Sequence, residues 1–157
     1  GYGETARELR QNAVAETHYA TSLTLFRQVH DPLGEARCLL GQGQLERAVG
    51  HAGAEVRLRQ AFSLFDAIHF LEGCGRALLE LAELAESAEA KRKLLLDALD
   101  SHTQFGNPRW IGETHRRLAS ISEGEEQQQH VATAREAWTS IKRPDLVAEL
   151  DAEFDRS

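Results

Sequence analysis

The sequence predicts an all-α protein with about eight antiparallel helices, and three observations support this fold class. Apolar residues recur at helical spacing through nearly the whole chain, and few segments alternate as a β-strand would. Residues 25–40 and 64–79 read LFRQVHDPLGEARCLL and LFDAIHFLEGCGRALL, with seven of sixteen positions identical at a constant offset of 39. The three prolines divide the chain at intervals of 76 and 36 residues, roughly two repeat units and one. Together these observations indicate a repeated helical unit.

The composition is typical of a soluble globular protein and argues against two kinds of partner. The chain has 157 residues, about one domain, with 41% hydrophobic and 27% charged residues. Its net charge of −7 does not suit a nucleic-acid binder, whose affinity comes mainly from neutralising phosphates. No apolar run approaches the ~18 residues of a membrane span. The chain begins at Gly1 and has no methionine, so we expect a fragment of a longer protein.

The two cysteines bear on the compartment. Cys38 and Cys74 both lie outside any CxxC pattern. We therefore expect reduced, buried or half-buried thiols and a cytoplasmic location, with a reactive thiol as the alternative.

Helix ends can be placed from the prolines and glycines. The predicted helices are residues 4–29, 33–50, 54–69, 73–87, 89–105, 110–122, 125–141 and 145–154. The first, fifth and seventh end shortly before Pro32, Pro108 and Pro144, because the residue before a proline is pushed out of the helical region. The loops have about 2–5 residues, so neighbouring helices are expected to pack antiparallel.

The odd-numbered helices share one pattern, a first residue followed by others at +4, +7 and +11. The members are Ala15, Tyr19, Ser22 and Phe26; Ala54, Leu58, Ala61 and Phe65; Lys91, Leu95, Ala98 and His102; and His130, Ala134, Ala137 and Ile141. These offsets place the four residues of a set on one helix face. Small residues near the middle allow close approach of a neighbouring helix, and a large one at the end fills the next layer. A stack of hairpins needs this arrangement, because each pair buries its apolar face against the next.

The even-numbered helices carry the other half of the repeat. At the same offset, Leu39, Leu40 and Gly43 align with Leu78, Leu79 and Ala82, and the third copy keeps Leu118 and Ile121. Glycines also recur every 39 residues near the start of these helices, at Gly34, Gly73 and Gly112. Glycine at such a position permits a tight turn or a close approach of two backbones.

The pattern resembles the tetratricopeptide repeat in its longer variety of about 40 residues. Phrases such as LF…GEARCLLGQGQL, with the spacing of Ala54, Leu58 and Ala61, are similar to repeats in bacterial signal-transduction regulators and animal cell-polarity adaptors. The resemblance implies a right-handed α–α superhelix forming a single domain, 1–157. Its parts are a half-repeat at 4–29, repeats at 33–69, 73–105 and 109–141, and a terminal helix at 145–154. GQG at residues 41–43 replaces the family's Leu-Gly, so a HEAT-like or unclassified α-solenoid remains the alternative.

The sequence offers little chemistry for catalysis. The seven histidines form no HExxH or HxxxH motif, and there is no GxSxG or Walker loop. His51 and Glu55 have i, i+4 spacing but fall in a glycine-containing turn. His30 and His69 lie at equivalent helix ends, where we expect the imidazoles to cap terminal carbonyls. We therefore expect no enzyme activity, no metal and no cofactor.

A binding surface is the remaining expectation. The resemblance implies that the first helix of each pair lines a concave groove. The non-core residues on these helices are Arg37, Gln44, Arg47, Arg76, Glu80, Glu83, His115, Arg116 and Ser120. Arg37, Arg76 and His115 lie one 39-residue step apart and would form a ladder of cations that clamps carboxylates. The alternative is that the arginines pair with Glu35, Glu72 or Glu80 at the surface.

The predicted function is protein recognition without catalysis. The partner would be a protein or peptide segment, including one elsewhere in the parent protein. The alternatives are a sensor for a small molecule or signalling peptide, and an enzyme fragment with a hidden site. Trp110 is expected to pack into the third repeat, with an exposed anchor as its alternative, and Trp138 to lie in the core. Apolar ends of the stack would favour a weak homodimer.

Overall fold

The computed structural model describes residues 2–50 and 52–155, and in this part of the chain it contains eight α-helices and no strand. The helices are α1 (Tyr2–Gln28), α2 (Pro32–Ala48), α3 (Ala54–Ala67), α4 (Leu71–Leu84), α5 (Ala88–Phe105), α6 (Pro108–Ser120), α7 (Gly124–Ser140) and α8 (Pro144–Phe154). The all-α prediction and its eight helices are confirmed.

The chain divides into two compact units, the first ending at Leu84 and the second beginning at Ala85. This boundary falls inside the segment predicted as one repeat, 73–105.

The odd-numbered helices α1, α3, α5 and α7 all end in the same backbone motif. The residues that follow them have left-handed φ values, namely His30 (56°), His69 (57°), Gly106 (82°) and Lys142 (57°). The next N–H then reaches back five residues. These bonds are Asp31 N–H to Phe26 O (2.9 Å), Phe70 to Phe65 (2.8 Å), Asn107 to His102 (3.3 Å) and Arg143 to Trp138 (3.0 Å). This is the Schellman arrangement, which satisfies carbonyls left free at a helix end.

The role expected for two imidazoles is therefore revised. His30 and His69 do lie at equivalent helix ends, but the capping bonds come from their backbone N–H groups, which donate to Arg27 O (3.3 Å) and Asp66 O (3.1 Å).

Helices α2 and α6 begin at prolines, each with a polar capping residue in front of it. The Asp31 carboxylate accepts a hydrogen bond from Gly34 N–H (3.0 Å), and the Asn107 side chain accepts one from Arg109 N–H (3.1 Å). Proline suits the first helical position because its missing N–H would have no partner there. Helices α2 and α6 therefore begin on Pro32 and Pro108 themselves, one and two residues before the predicted starts.

In the first unit, α2 packs against α1, α3 and α4, and α3 packs against α4. The third residues of α2 and α4 are Gly34 and Gly73, and a Cβ added to either would collide with the ring of Phe26 or Phe65. Each hairpin thus inserts a phenylalanine where the next helix has no side chain. Phe65 is 1% exposed, whereas Phe26 is only half-buried. These glycines are needed for close packing.

In the second unit, α6 packs against α5 and α7, and α7 packs against α8. Its repeat register differs from the predicted one. Helix α4 begins 39 residues after α2 (71 − 32), but α6 begins only 37 after α4 (108 − 71). The third residue of α6 is therefore Trp110, two positions before Gly112. Projecting a constant step of 39 beyond α4 was wrong.

The same shift corrects the pattern predicted for α7. The residue that accepts the Schellman bond is Trp138, as it is Phe26, Phe65 and His102 in the earlier helices. Ala134 and Trp138 are buried, and with Leu150 they form a core cluster. Ala137 and Ile141, which the sequence pattern placed in these roles, are only partly buried. Trp138 is a core residue, as predicted.

Candidate functional site

A cleft of ≈ 430 Å³ lies in the second unit between α6, α7 and α8. Two tryptophans, three arginines and three glutamates contribute most of its surface. The even-numbered helices α6 and α8 supply all the charged groups.

The aromatic wall of the cleft is fixed by contacts on both of its rings. Trp138 is 2% exposed, and its indole N–H donates to the carbonyl oxygen of Arg109 (3.0 Å). Trp110 is half-buried and stacks on the buried His102, with ring centroids 5.8 Å apart and planes 15° apart. The guanidinium of Arg109 lies 5.7 Å from the centre of the Trp110 ring, within the range of a cation–π contact. One tryptophan is thus structural, and the other presents part of its surface.

Four charged side chains of the cleft hold one another in place. Glu113 accepts hydrogen bonds from Arg116 (2.7 and 3.0 Å) and from Arg117 (2.9 Å). Arg116 also donates to Glu153 of α8 (3.1 and 3.2 Å). Burial alone would raise the pKa of Glu113, but the hydrogen bonds from Arg116 and Arg117 outweigh it and hold the pKa below its usual value. The hydrogen bonds that Arg116 donates to Glu113 likewise raise the pKa of Arg116. Both shifts favour the ionised forms of Glu113 and Arg116.

Two further charges lie at the cleft without such partners. Among the described residues, neither Arg109 nor Glu149 forms an ion pair, and both side chains are exposed. They can therefore serve an incoming group of opposite charge without first breaking an internal bond.

Three of the predicted site residues meet in the first unit instead. Arg47 of α2 donates to Glu80 of α4 (2.6 Å), and Gln44 donates to the same carboxylate (3.4 Å). Glu80 is the tenth residue of α4, just as Glu153 is the tenth of α8. Both units therefore bridge successive even-numbered helices by a glutamate at the same position. Arg47 thus forms an ion pair between α2 and α4.

The predicted ladder of cations takes Arg37 and Arg76 from the first unit and His115 from the second, and it stays a prediction. Arg37 lies over the ring of Phe70 (5.6 Å), and Arg76 occupies the same sixth position of its helix. The sixth residue of α6 is Glu113. The ring of His115 contacts His130 of α7.

Two predicted residues remain. Glu83 has an exposed side chain on α4, and the hydroxyl of Ser120 donates to the carbonyl of Arg117 (2.6 Å). Of the predicted residues, only Arg116 lies in the cleft. Sequence reasoning missed Arg109, Glu113, Glu149 and Glu153, although alignment on Pro32 and Pro108 would have matched Glu113 with Arg37.

The cysteines lie in the core of the first unit. Cys38 and Cys74 are free and buried, as predicted. Burial raises the pKa of both thiols, that of Cys74 to about 11 with a smaller contribution from Asp66. Such thiols react slowly, because the thiolate is the reactive form.

No group of three or more His, Cys, Asp or Glu side chains is placed to hold a metal ion within residues 2–50 and 52–155. His51 lies outside the described residues. In the part of the chain described, no helix combines the length and the apolar character needed to cross a membrane.

No protein-family model matches the chain, and a search of curated proteins gives no match.

Proposed function

We propose that this chain is a non-catalytic, tetratricopeptide-like interaction module of the cytoplasm, and that its cleft between α6, α7 and α8 binds a segment of a partner protein. The observation that carries the proposal is the cleft's construction, with fixed charges on two even-numbered helices and a half-exposed indole. In the family that the sequence resembles, the first helix of each repeat lines the binding surface, and here these helices are the even-numbered ones. A right-handed superhelix of hairpins is part of this proposal.

Preorganisation favours binding at this cleft. Hydrogen bonds already hold the side chains of Arg116, Glu113 and Glu153 in place. Binding a ligand therefore does not cost the conformational entropy of ordering them. Tryptophan and arginine are the residues most enriched at binding hot spots. The unpaired Arg109 and Glu149 suit a segment that carries an acidic side chain for the first and a basic one for the second.

The test is a selection of 12-residue peptides on the whole chain, followed by titration of the selected peptides. We expect acidic residues to be enriched at one position and affinities in the micromolar range. Trp110→Ala should weaken binding by about tenfold, and Arg109→Glu by about tenfold to a hundredfold, because a hot-spot side chain contributes ~1–3 kcal/mol. Arg109→Glu should also accept peptides in which that acidic residue is replaced by lysine.

The matched control is Arg59→Glu, which places the same charge change on exposed α3 of the first unit. It should leave peptide affinity within a factor of two. If no peptide is selected, or if the Trp110 and Arg109 variants bind like the control, the proposed site is wrong.

A sensor of small molecules is the second candidate, and the cleft volume supports it. About 430 Å³ lies within the ~300–1,000 Å³ typical of small-molecule sites. A thermal-shift screen of metabolites separates the two candidates. A compound that binds one to one, loses affinity in Trp110→Ala and has no peptide competitor would favour the sensor.

Self-association belongs to the proposal as a weak secondary property. Helix α1 exposes Leu9, Val14 and Leu25, and exposed apolar side chains at the end of a stack promote dimers. Sedimentation over a range of concentrations measures it.

A further inference from the structure

Two histidine rings meet at the interface of α6 and α7. The Nδ1 atoms of His115 and His130 lie 2.9 Å apart, and the ring centroids 5.2 Å apart. Both side chains are partly buried, that of His130 being 17% exposed. A hydrogen bond between two Nδ1 atoms needs a proton on one of them and a lone pair on the other. The pair can therefore be held only while one of the two nitrogens stays unprotonated.

The surrounding charges decide where a first proton goes. Glu126 of α7 lies 3.8 Å from Nε2 of His130, and Arg92 of α5 donates to the same carboxylate oxygen (2.6 Å). Among the described residues, the charges that shift the pKa of either ring come from α5 and α7, and none comes from α8. When His130 carries a proton on each nitrogen, Nδ1–H donates to His115 and Nε2–H faces Glu126. One added proton thus keeps the contact between the helices.

A second proton cannot be accommodated in this way. It would have to enter at Nδ1 of His115, and two N–H groups would then point at each other between two positive rings. The pKa of His115 is lowered to about 4, chiefly by burial and secondly by the charge of His130. Burial also lowers the pKa of His130, with Glu126 opposing it and Arg92 adding to it.

We propose that the His115–His130 contact is an acid-operated latch, which holds the α6–α7 hairpin closed with up to one proton and releases it when the second enters. The same hairpin contains Gly112 and Trp138, which pack against each other beside the cleft. Release of a bound segment on acidification is a consequence that rests on the proposed function. The latch itself does not.

The pKa of His115 decides whether the hairpin gains or loses stability as the pH falls. Its folded value of about 4 lies below the ordinary 6.5, so the open form binds more protons between these values. The closed hairpin is fully favoured above pH 6.5 and loses stability as the pH falls towards 4. The opening equilibrium constant should rise by about tenfold to thirtyfold between pH 7.5 and pH 5.

Amide hydrogen exchange on the whole chain tests the latch without any partner. At pH 5, after correction for intrinsic exchange, the amides of α7 should exchange about tenfold to thirtyfold faster relative to pH 7.5, and those of α3 should not. His115→Gln removes the second titrating ring, so its acid effect should fall below about threefold. The exposed His18→Gln on α1 is the matched control and should keep the full effect.

Nitrogen NMR of the wild-type rings gives a readout that does not depend on how the variants fold. At pH 7.5 one ring should carry its proton on Nδ1 and the other on Nε2, and His115 should titrate well below pH 6.5. The latch is overturned if both rings titrate near 6.5, if α7 exchange is insensitive to pH, or if His115→Gln behaves like the control. Capture of added Zn²⁺ by both Nδ1 atoms at micromolar concentration would also overturn it, in favour of a metal site. Because no partner is used, these outcomes leave the binding proposal to its own experiment.

Discussion

Replacing Trp138 by alanine is expected to lower the free energy of unfolding of the second unit by about 3–5 kcal/mol. The indole is 2% exposed and fills the space that Gly112 leaves open, so its removal creates a cavity. It also leaves the carbonyl of Arg109 without the indole N–H that binds it. Urea unfolding followed by the fluorescence of Trp110, which lies in the same unit, measures the loss.

Two further variants separate the contributions. Trp138→Phe keeps most of the ring volume but removes the N–H, and should cost about 1–2 kcal/mol. Trp110→Ala removes a half-buried ring of the same size and should cost less than Trp138→Ala. A loss below about 1 kcal/mol for Trp138→Ala would contradict its place at the centre of this core.

Gly73→Ala is expected to destabilise the first unit by about 1–3 kcal/mol, although alanine is the better helix former. The substitution gains up to about 1 kcal/mol of helix propensity. The added Cβ, however, collides with the ring of Phe65, which is 1% exposed and packed 5.7 Å from the ring of Phe70. A fully buried ring has no room to retreat, and overpacking of this kind costs more than the propensity gain. Circular dichroism during urea unfolding measures the result.

Gly34→Ala is the matched control for Gly73→Ala. It places the same methyl group against the ring of Phe26, which is half-buried and can swing towards solvent. The expected loss is therefore under about 1 kcal/mol. A double-mutant cycle adds a second check, because Gly73→Ala combined with Phe65→Leu should cost less than the sum of the two changes. Equal losses at Gly34 and Gly73 would show that burial of the ring does not decide the cost.

The helices were predictable from sequence because their ends are marked locally. Every predicted boundary lies within three residues of the observed one, since prolines, glycines and short polar segments stop helices by steric and hydrogen-bonding rules. The register of the second half was not predictable from glycine spacing. Helix α8 begins only 36 residues after α6 (144 − 108), because both the helices and the loops over this interval are shorter in sum than those between the starts of α2 and α4. Pro32, Pro108 and Pro144 would have predicted the starts of α2, α6 and α8 more accurately than the glycine spacing.

The site was less predictable than the fold for a physical reason. A charged residue on a helix can pair along its own helix or with the next one, and the sequence holds many such combinations. Arg116 uses both options at once, with Glu113 three residues before it and Glu153 on α8. Arg37 uses neither and contacts the ring of Phe70. Which pairing forms depends on differences in distance of an ångström or two, which residue spacing does not fix.

The four identical endings of the odd-numbered helices also bear on how such a chain can change its length. Each ending has one residue with a left-handed φ, and the N–H of the next residue donates to the carbonyl five positions earlier. The left-handed residue is a histidine twice, a glycine once and a lysine once. Excision or duplication of one hairpin between two of these points would rejoin the chain with its local geometry intact. Unequal recombination could therefore change the number of hairpins while the helix endings that connect them keep the same backbone geometry.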